Sequence, residues 1–357
     1  MHVIDIEHSI KVTPTRRVAG GSLLIVAVCI CAAGCAGAGA TTAAVGIGSS
    51  ASPFVRQTGQ PPTQWVVAPA PKKNSGLIGI TADSHNDIWI TEGNDGYVDR
   101  IDPATNKYRR FQVPTASPSL SAITLGPDGN LWFTETFAAK VGRITPAGVI
   151  TEFALPPSSG PLDITAGPDG NLWYTDTFQY EIGKLTTAGV VTEYPVPSHT
   201  FPFFITAGPD GNLWFTEGGP RVAKITPGGT ITEYSTGNAS STSGIAVGAD
   251  GNLWFGESSL DRLGTITTAG VVSSHYIRGS HPEEVVNGGG NELFVSVDQG
   301  LASYNVRTHG FVVLGYPQGA TPFGFMALGG DGNIWFTQGS TNDVAVYVRH
   351  ILSVNPS

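Results

Sequence analysis

Five polar side chains have the chemistry of a catalytic or cation-binding site. They are, in chain order, Asp163, His199, His281, Glu283 and Glu284. An imidazole titrates close to neutral pH and can accept a proton from a substrate, which makes His199 and His281 the candidate catalytic bases. Carboxylates are the ligands that Mg²⁺ and Ca²⁺ prefer, so Glu283 and Asp163 are the candidate metal ligands. Because Glu283 and Glu284 are adjacent on an expected strand, they point to opposite faces, and at most one of them faces a shared site.

Phenylalanines stand beside these polar residues in the sequence, at Phe203, Phe204 and Phe323. Aromatic walls with a few polar groups are typical of a small-molecule pocket. We therefore predict that the following residues bind a ligand: Asp163, Phe203, Phe204, Glu283, Glu284 and Phe323. The competing interpretation is structural, with His281 and Glu283 in an exposed loop and the phenyl groups packed against their neighbours.

A repeat of about forty residues must position these side chains. The segment Asp-Gly-Asn-Leu-Trp recurs along the chain, and the aromatic residue after each turn falls at Trp89, Trp132, Trp173, Trp214, Trp254, Phe294 and Trp335. Each repeat divides into four short strands of alternating hydrophobicity, and its Asp-Gly pairs predict tight primed hairpin turns. Seven such repeats predict an all-β fold, a seven-bladed β-propeller of four-stranded blades over residues 61–357.

The two ends of the propeller are expected to meet. Residues 64–67 resemble the outer strand of a repeat but precede the first full one, and the last repeat ends with its third strand at 344–348. An N-terminal outer strand that completes the seventh blade would close the ring and remove an exposed sheet edge. The loops that lead into the inner strands then lie together on one face of the ring, around the central channel, and we expect the candidate site there.

Composition excludes several function classes. The formal net charge is −9, and Lys/Arg runs are confined to the first twenty residues, so nucleic acid is a poor partner. All three cysteines lie at 29, 31 and 35, which leaves the propeller without a disulfide or a thiolate metal site. The sequence contains neither the glycine loop of a nucleotide site nor the Gly-x-Ser-x-Gly segment of a serine hydrolase.

The N-terminus is typical of an export signal. Positive residues up to Arg17 precede an apolar run that ends in Ala32-Ala33-Gly34-Cys35. We predict a lipoprotein-type signal peptide over 1–34, lipidation at Cys35, and a flexible Ala/Gly/Thr/Ser/Pro-rich tether over 35–60. The protein would then be exported and contact the membrane only through its lipid anchor. The alternatives are an ordinary signal peptide or an uncleaved anchor.

The repeat resembles that of the virginiamycin B (streptogramin B) lyases. The resemblance rests on Pro-Asp-Gly-Asn-Leu-Trp-Phe-Thr-Glu, Ile-Gly-Lys-Leu-Thr and Gly-Val-Val-Thr-Glu-Tyr, and it covers residues 62 to 350. It implies a seven-bladed propeller that opens cyclic depsipeptide antibiotics by elimination at the ester, with Mg²⁺ and a histidine base. In that family the functional histidines lie in Pro-His-x-Ile segments of the last two blades.

The catalytic residues that the resemblance implies are not matched. Glu283 stands where the sixth-blade histidine is expected, and Phe323 is aligned with the seventh-blade histidine. Thr321 replaces one family glutamate, and Gln338 follows the last Trp-Phe-Thr where the other is expected. A phenyl group cannot accept a proton, so the family's base is missing in this alignment.

Two functions from different classes remain open. The first is a binding module that presents its channel mouth to a small molecule or to an envelope protein. The second is a lyase or hydrolase that acts on a cyclic depsipeptide or lactone, with His199 or His281 as base and with Glu283 or Asp163 holding a cation. A propeller of the gluconolactonase type is a weaker alternative, because no carboxylate-rich metal site can be assembled. Mg²⁺ is expected only through the resemblance, and we expect a monomer.

Overall fold

The computed structural model describes residues 65–69, 72, 75–105, 107–237, 241–277, 279–316, 324–338 and 342–349. The predicted signal peptide, the tether, Cys35 and Phe323 lie outside these residues and stay predictions. Within them the chain forms seven antiparallel four-stranded sheets. Two single-turn 3₁₀ helices, Thr136–Ala138 and Ser258–Leu260, are the helical segments described. Across this part of the chain, no helix has the length and apolar character needed to cross a membrane.

Each sheet is one blade, and its strands follow the chain from the centre of the ring outwards. Blade 1 comprises β2 (Leu77–Ala82), β3 (Ile88–Glu92), β4 (Tyr97–Asp102) and β5 (Lys107–Gln112). Blade 2 comprises β6 (Leu120–Leu125), β7 (Leu131–Glu135), β8 (Lys140–Ile144) and β9 (Ile150–Ala154). Blade 3 comprises β10 (Pro161–Ala166), β11 (Leu172–Asp176), β12 (Glu181–Leu185) and β13 (Val191–Pro195). Blade 4 comprises β14 (Pro202–Ala207), β15 (Leu213–Glu217), β16 (Arg221–Ile225) and β17 (Ile231–Ser235).

The last three blades have shorter inner strands. Blade 5 comprises β18 (Ile245–Val247), β19 (Leu253–Glu257), β20 (Arg262–Ile266) and β21 (Val272–Tyr276). Blade 6 comprises β22 (Val285–Asn287), β23 (Glu292–Val297), β24 (Gly300–Asn305) and β25 (Phe311–Gly315). Blade 7 comprises β26 (Met326–Leu328), β27 (Ile334–Gln338), β28 (Asp343–Tyr347) and the N-terminal strand β1 (Trp65–Pro69).

The predicted seven-bladed propeller and its ring closure are confirmed. Strand β1 pairs antiparallel with β28, with Trp65 opposite Tyr347 and Val67 opposite Ala345. Strand β1 therefore supplies the outer edge of the last blade and closes the ring. The indole of Trp65 packs edge-on against Phe336 of the same blade, with ring centroids 5.3 Å apart.

The Asp-Gly turns between the first two strands of a blade differ from the predicted primed turn, because the glycine alone has a positive φ. In blade 3 the connection spans five residues, 167–171, and only Gly170 has a positive φ, of 75°. The Asp169 carboxylate accepts the backbone N–H of Asn171 at 3.2 Å and the indole N–H of Trp173 at 3.0 Å. The aspartate thus closes the turn through its own side chain and fixes the buried tryptophan at the same time.

One basic residue on the third strand joins each of the first four blades to the next. In blade 3 the Lys184 ammonium lies 5.2 Å from the Trp173 ring centroid and 2.7 Å from Asp169. It also donates to the carbonyl of Pro227, in blade 4, at 3.3 Å. Arg100, Arg143 and Lys224 make the equivalent contacts in the other three blades. A cation over an indole therefore repeats in four of the seven blades, and in the first three of them a carboxylate pairs with the cation.

A hydroxyl on the second strand fixes where each inner strand lies. Thr175 Oγ1 accepts the backbone N–H of Asp163 at 3.0 Å and donates to the carbonyl of Phe203, in the next blade, at 2.9 Å. Thr134 makes the same pair of bonds in blade 2, to Ala122 and Leu162. The hydrogen bond from the inner-strand amide forms where the inner strand shifts register against the second strand. The hydroxyl there takes the place of the backbone carbonyl that a regular ladder would supply.

Replacement of Thr175 by valine tests this role. Thr175→Val keeps the shape of the side chain but leaves the Asp163 amide and the Phe203 carbonyl buried and unpaired. We expect a loss of about 1–3 kcal/mol in the free energy of unfolding, measured by urea denaturation. Thr192→Val, the same change on the exposed outer strand, is the control and should change stability by less than about 0.5 kcal/mol. Equal effects of the two substitutions would contradict the assignment.

Candidate functional site

Seven residues, one from each blade and each in the inner strand or directly before it, surround the channel at one level. In six blades this residue is the one whose backbone N–H donates to the hydroxyl of the second strand. In blade 5 the strand register identifies the equivalent residue. We call this set the channel ring: Gly79, Ala122, Asp163, Phe204, Gly244, Glu284 and Phe325. It contains two carboxyl groups, two phenyl groups and three small residues. The rings of Phe204 and Phe325 meet across the channel, with centroids 6.1 Å apart.

A cavity of about 340 Å³ lies directly against the channel ring. Its lining continues along the inner strands to Thr206, Val247 and Asn287, where those strands end at the Asp-Gly-Asn turns. The cavity is thus on the turn side of the channel ring, and not at the entry loops where the sequence placed the site. Among the predicted ligand-binding residues, Asp163, Phe204 and Glu284 line it.

Asp163 is held by backbone amides of two blades. Its Oδ1 accepts the N–H of Ile164 at 2.9 Å, and its Oδ2 accepts the N–H of Ile205, in blade 4, at 2.8 Å. Burial raises the pKa of this carboxyl to about 7, although both amide bonds favour the ionised form. Asp163 therefore links the inner strands of blades 3 and 4 through hydrogen bonds, and its carboxyl group titrates in the neutral range.

Glu284 repeats the same arrangement three blades further on. It accepts the backbone N–H of Met326, in blade 7, which corresponds to Ile205 in blade 4. Burial raises the pKa of Glu284 well above its ordinary value, and the charge of Asp163 raises it further. In both places the next blade contributes a phenylalanine to the channel ring, Phe204 after Asp163 and Phe325 after Glu284.

The neighbouring residues Glu283 and Phe203 point away from the cavity, as the alternation of a strand requires. Phe203 is buried and stacks on Phe201, with centroids 6.4 Å apart. Burial raises the pKa of Glu283 to about 7, the carboxylate of Asp298 raises it further, and His281 partly offsets the effect. Of the two adjacent glutamates, Glu284 lines the cavity and Glu283 does not.

His281 forms a dyad with Asp298 on the entry-loop side of blade 6. Its Nδ1 lies 2.5 Å from Asp298 Oδ2, and its Nε2 lies 3.8 Å from Asp261 Oδ1. The hydrogen bond to Asp298 raises the pKa of the imidazole, whose side chain remains 53% exposed. His281 has a positive φ of 33°, and its backbone N–H is held by Asp261 at 3.1 Å. An oriented, accessible imidazole can act as a general base.

His199, the other candidate base, lies in an exposed loop between blades 3 and 4, two blades from His281. Its backbone N–H donates to the carbonyl of Val196 at 3.0 Å. Asp298, the partner of His281, was missed by sequence reasoning. It stands one residue beyond β23 in a degenerate repeat, where no motif marks it.

The residues present do not fit a magnesium site. Among the described residues, no three His, Cys, Asp or Glu side chains converge closely enough to hold a metal ion. The two candidate ligands are separated, because Asp163 lines the cavity and Glu283 does not. Mg²⁺ prefers six oxygen ligands in near-octahedral geometry, which this arrangement does not provide.

Comparison with known proteins identifies the family. A model of the virginiamycin B lyase family matches residues 64–296 and 218–348. The chain belongs to this family. A streptogramin B lyase structure is similar, with 30% sequence identity, a TM-score of 0.74, and coverage of 79% of this chain and 96% of that one. So is a virginiamycin B lyase from Staphylococcus aureus, a catalytically inactive histidine-to-alanine form with quinupristin, at 31% identity, a TM-score of 0.73, and 79% and 98% coverage.

More distant structures share the fold alone. The extracellular domain of a hybrid two-component system protein from B. thetaiotaomicron is 14% identical, with a TM-score of 0.60 and coverage of 76% of this chain and 40% of that one. No curated protein matches the chain by sequence. Membership of the virginiamycin B lyase family therefore rests on the family model and on the lyase structures.

Strand register corrects the alignment of blade 7 with the virginiamycin B lyases. Met326 pairs with Phe336 in blade 7 as Ile205 pairs with Phe215 in blade 4. Two residues before each of these positions, Gly324 is therefore equivalent to Phe203 of blade 4, and likewise to Glu283 of blade 6. Gly324, and not Phe323, therefore takes the position that the resemblance gives to the histidine base. A Cβ atom on Gly324 would lie 1.4 Å from the carbonyl oxygen of Thr337, which excludes any side chain on this backbone.

Proposed function

We propose that the protein is a binding module of the virginiamycin B lyase family, whose site for a small molecule is the channel cavity. The observation that carries this proposal is the cavity itself, about 340 Å³ in volume and bounded by Phe204, Phe325, Asp163 and Glu284. That volume lies within the range of small-molecule sites, and the mixture of phenyl and carboxyl groups is of the kind that binds and orients a ligand.

The positions of the family's base support binding without turnover. Glu283 and Gly324 stand where the resemblance places the two histidines, and Gly324 has no room for a side chain. Gln338, which is buried, stands where a glutamate is expected. A small molecule is favoured over a protein partner because the cavity is lined by the inner strands of the propeller and not by its outer strands.

Removal of one phenyl group tests the site. A small-molecule library is screened against the full-length protein for compounds that raise its unfolding temperature. We expect compounds that stabilise the wild type to lose at least tenfold in affinity for Phe204→Ala, because the aromatic wall of the cavity is removed. Phe178→Ala, at an exposed ring outside the cavity, is the control and should bind normally. Equal loss in both variants, or no stabilising compound at all, would contradict the proposal.

A second candidate function, lyase activity from a rearranged site, is favoured by one observation, the His281–Asp298 dyad. The full-length protein is incubated with quinupristin and Mg²⁺, and the ring-opened isomer is followed by chromatography with mass detection. Under the binding proposal we expect no turnover. Turnover that is abolished in His281→Ala and reduced in Asp298→Asn would replace the binding module with a lyase that uses His281 as its base.

We also propose that the propeller is held outside the cytoplasm by a lipid on Cys35. The support is the sequence alone, a positive segment and an apolar run that end in Ala-Ala-Gly-Cys. Cells that produce the full-length chain should incorporate labelled palmitate into it, and Cys35→Ser should abolish the label. A labelled Cys35→Ser variant, or an unlabelled wild type, would rule out the anchor.

A further inference from the structure

The cavity contains two carboxyl groups and no basic side chain among the residues described as lining it. Asp163 and Glu284 are the only charged residues among those described as lining it, and Thr206 and Asn287 are its other polar side chains. Carboxyl groups at buried positions are ordinarily paired with a cation. Here the partners that the structure gives them are backbone amides, those of Ile164 and Ile205 for Asp163 and that of Met326 for Glu284. A ligand with positive charge would complement this cavity.

The surroundings of the two carboxyl groups select the kind of cation. Mg²⁺ and Ca²⁺ prefer six or more oxygen ligands, and among the described residues no three His, Cys, Asp or Glu side chains converge to hold a metal ion. An ammonium group needs only two or three acceptors, and phenyl faces attract it. Phe204 and Phe325 supply such faces, and Ile80, Ile123 and Val286 provide an apolar wall for the rest of the ligand.

We propose that the channel cavity binds an organic amine in its protonated form, with the ammonium group held between Asp163 and Glu284 and the apolar body against Phe204 and Phe325. This inference rests on the proposed binding function and names its ligand class. The volume of about 340 Å³ is near the lower end for ligand pockets, so the amine is small.

Titration of the two carboxyl groups supports the inference. Burial raises the pKa of both, so the folded protein holds more protons than the unfolded chain above pH 4 and loses stability as the pH rises towards 7. A hydrophobic or amide residue would avoid that loss, and charge retained at a cost in stability is typical of a binding site. Asp163 and Glu284 are the titratable groups that line the cavity, and a cation binds better when both are ionised.

The experiment compares a cation with its neutral isostere. Benzylamine and benzyl alcohol are titrated into the full-length protein by isothermal calorimetry at pH 8 and pH 5.5. We expect benzylamine, protonated at both values, to bind at least tenfold more tightly than benzyl alcohol at pH 8, and to bind several-fold more weakly at pH 5.5. Glu284→Gln and Asp163→Asn should each weaken benzylamine binding at least tenfold.

Glu283→Gln is the matched control, because it removes the neighbouring carboxyl group, which points away from the cavity. It should bind benzylamine as the wild type does. Glu284→Gln keeps an oxygen that can accept the Met326 amide, so its unfolding temperature at pH 8 should equal or exceed that of the wild type. If Asp163→Asn fails to fold, Glu284→Gln alone decides.

Three outcomes would overturn the amine assignment: no binding of benzylamine, equal binding of benzyl alcohol, or unchanged binding in the folded Glu284→Gln variant. Neutral compounds from the library screen that lose affinity for Phe204→Ala would then leave the cavity as a binding site for a different ligand class. Absence of any ligand in both experiments would overturn the binding function as well.

Discussion

A hydroxyl on the second strand, from threonine in five blades and from serine in blade 6, is the interaction on which the geometry of the channel depends. It accepts an amide from its own inner strand and so sets the register within the blade. In blades 1, 2, 3 and 7 it also donates to a carbonyl of the next inner strand, which sets the spacing between blades. In blade 7 Thr337 does so towards the first blade, with its hydroxyl 2.7 Å from the carbonyl of Ile78. The chain of hydroxyls thus crosses the point where the two ends of the ring meet. Since each amide bound in this way belongs to a residue of the channel ring, the same contact decides which side chains face the cavity.

Blade 5 departs from this pattern, and the departure lies next to the candidate site. Gly256 replaces the threonine, and Ser243 and Ser258 instead donate to the carbonyl of Pro282 at 3.0 and 2.6 Å. A Cβ atom on Gly256 would lie 2.0 Å from Ser243 Oγ, and one on Gly244 would lie 2.7 Å from Glu284 Cα. Two glycines therefore let blades 5 and 6 approach closely, which brings the backbone of Glu284 against the inner strand of blade 5. In the His281–Asp298 dyad, His281 precedes the inner strand of blade 6 and Asp298 follows the second strand of that blade.

The sequence predicted the fold but not which side chains line the cavity, and the difference has a physical reason. A repeat of buried tryptophans and aspartate turns is a property of every blade, so seven copies predict the propeller even when single copies are degenerate. A site on the inner strands depends on alternation, where a shift of one residue moves a side chain from the cavity into the protein. Phe203 and Phe204 show the difference, since one is buried beside Phe201 and the other lines the cavity. The alignment of Phe323, and not Gly324, with the family's histidine is a shift of this kind. It arises because the segment of blade 7 lacks the isoleucine that marks the register elsewhere.

The contacts that recur around the propeller leave the channel ring free to vary. The residues that recur in most blades, the tryptophan, the turn aspartate and the bridging hydroxyl, all act within the sheets or between them. The channel ring lies outside this repeated set, and its seven members differ from blade to blade in size and charge. An acid followed one blade later by a phenylalanine occurs twice, in blades 3 and 4 and again in blades 6 and 7. The rings of Phe204 and Phe325 meet across the channel, and the charge of Asp163 raises the pKa of Glu284. The two pairs together place two aromatic faces and two carboxyl groups around one small cavity.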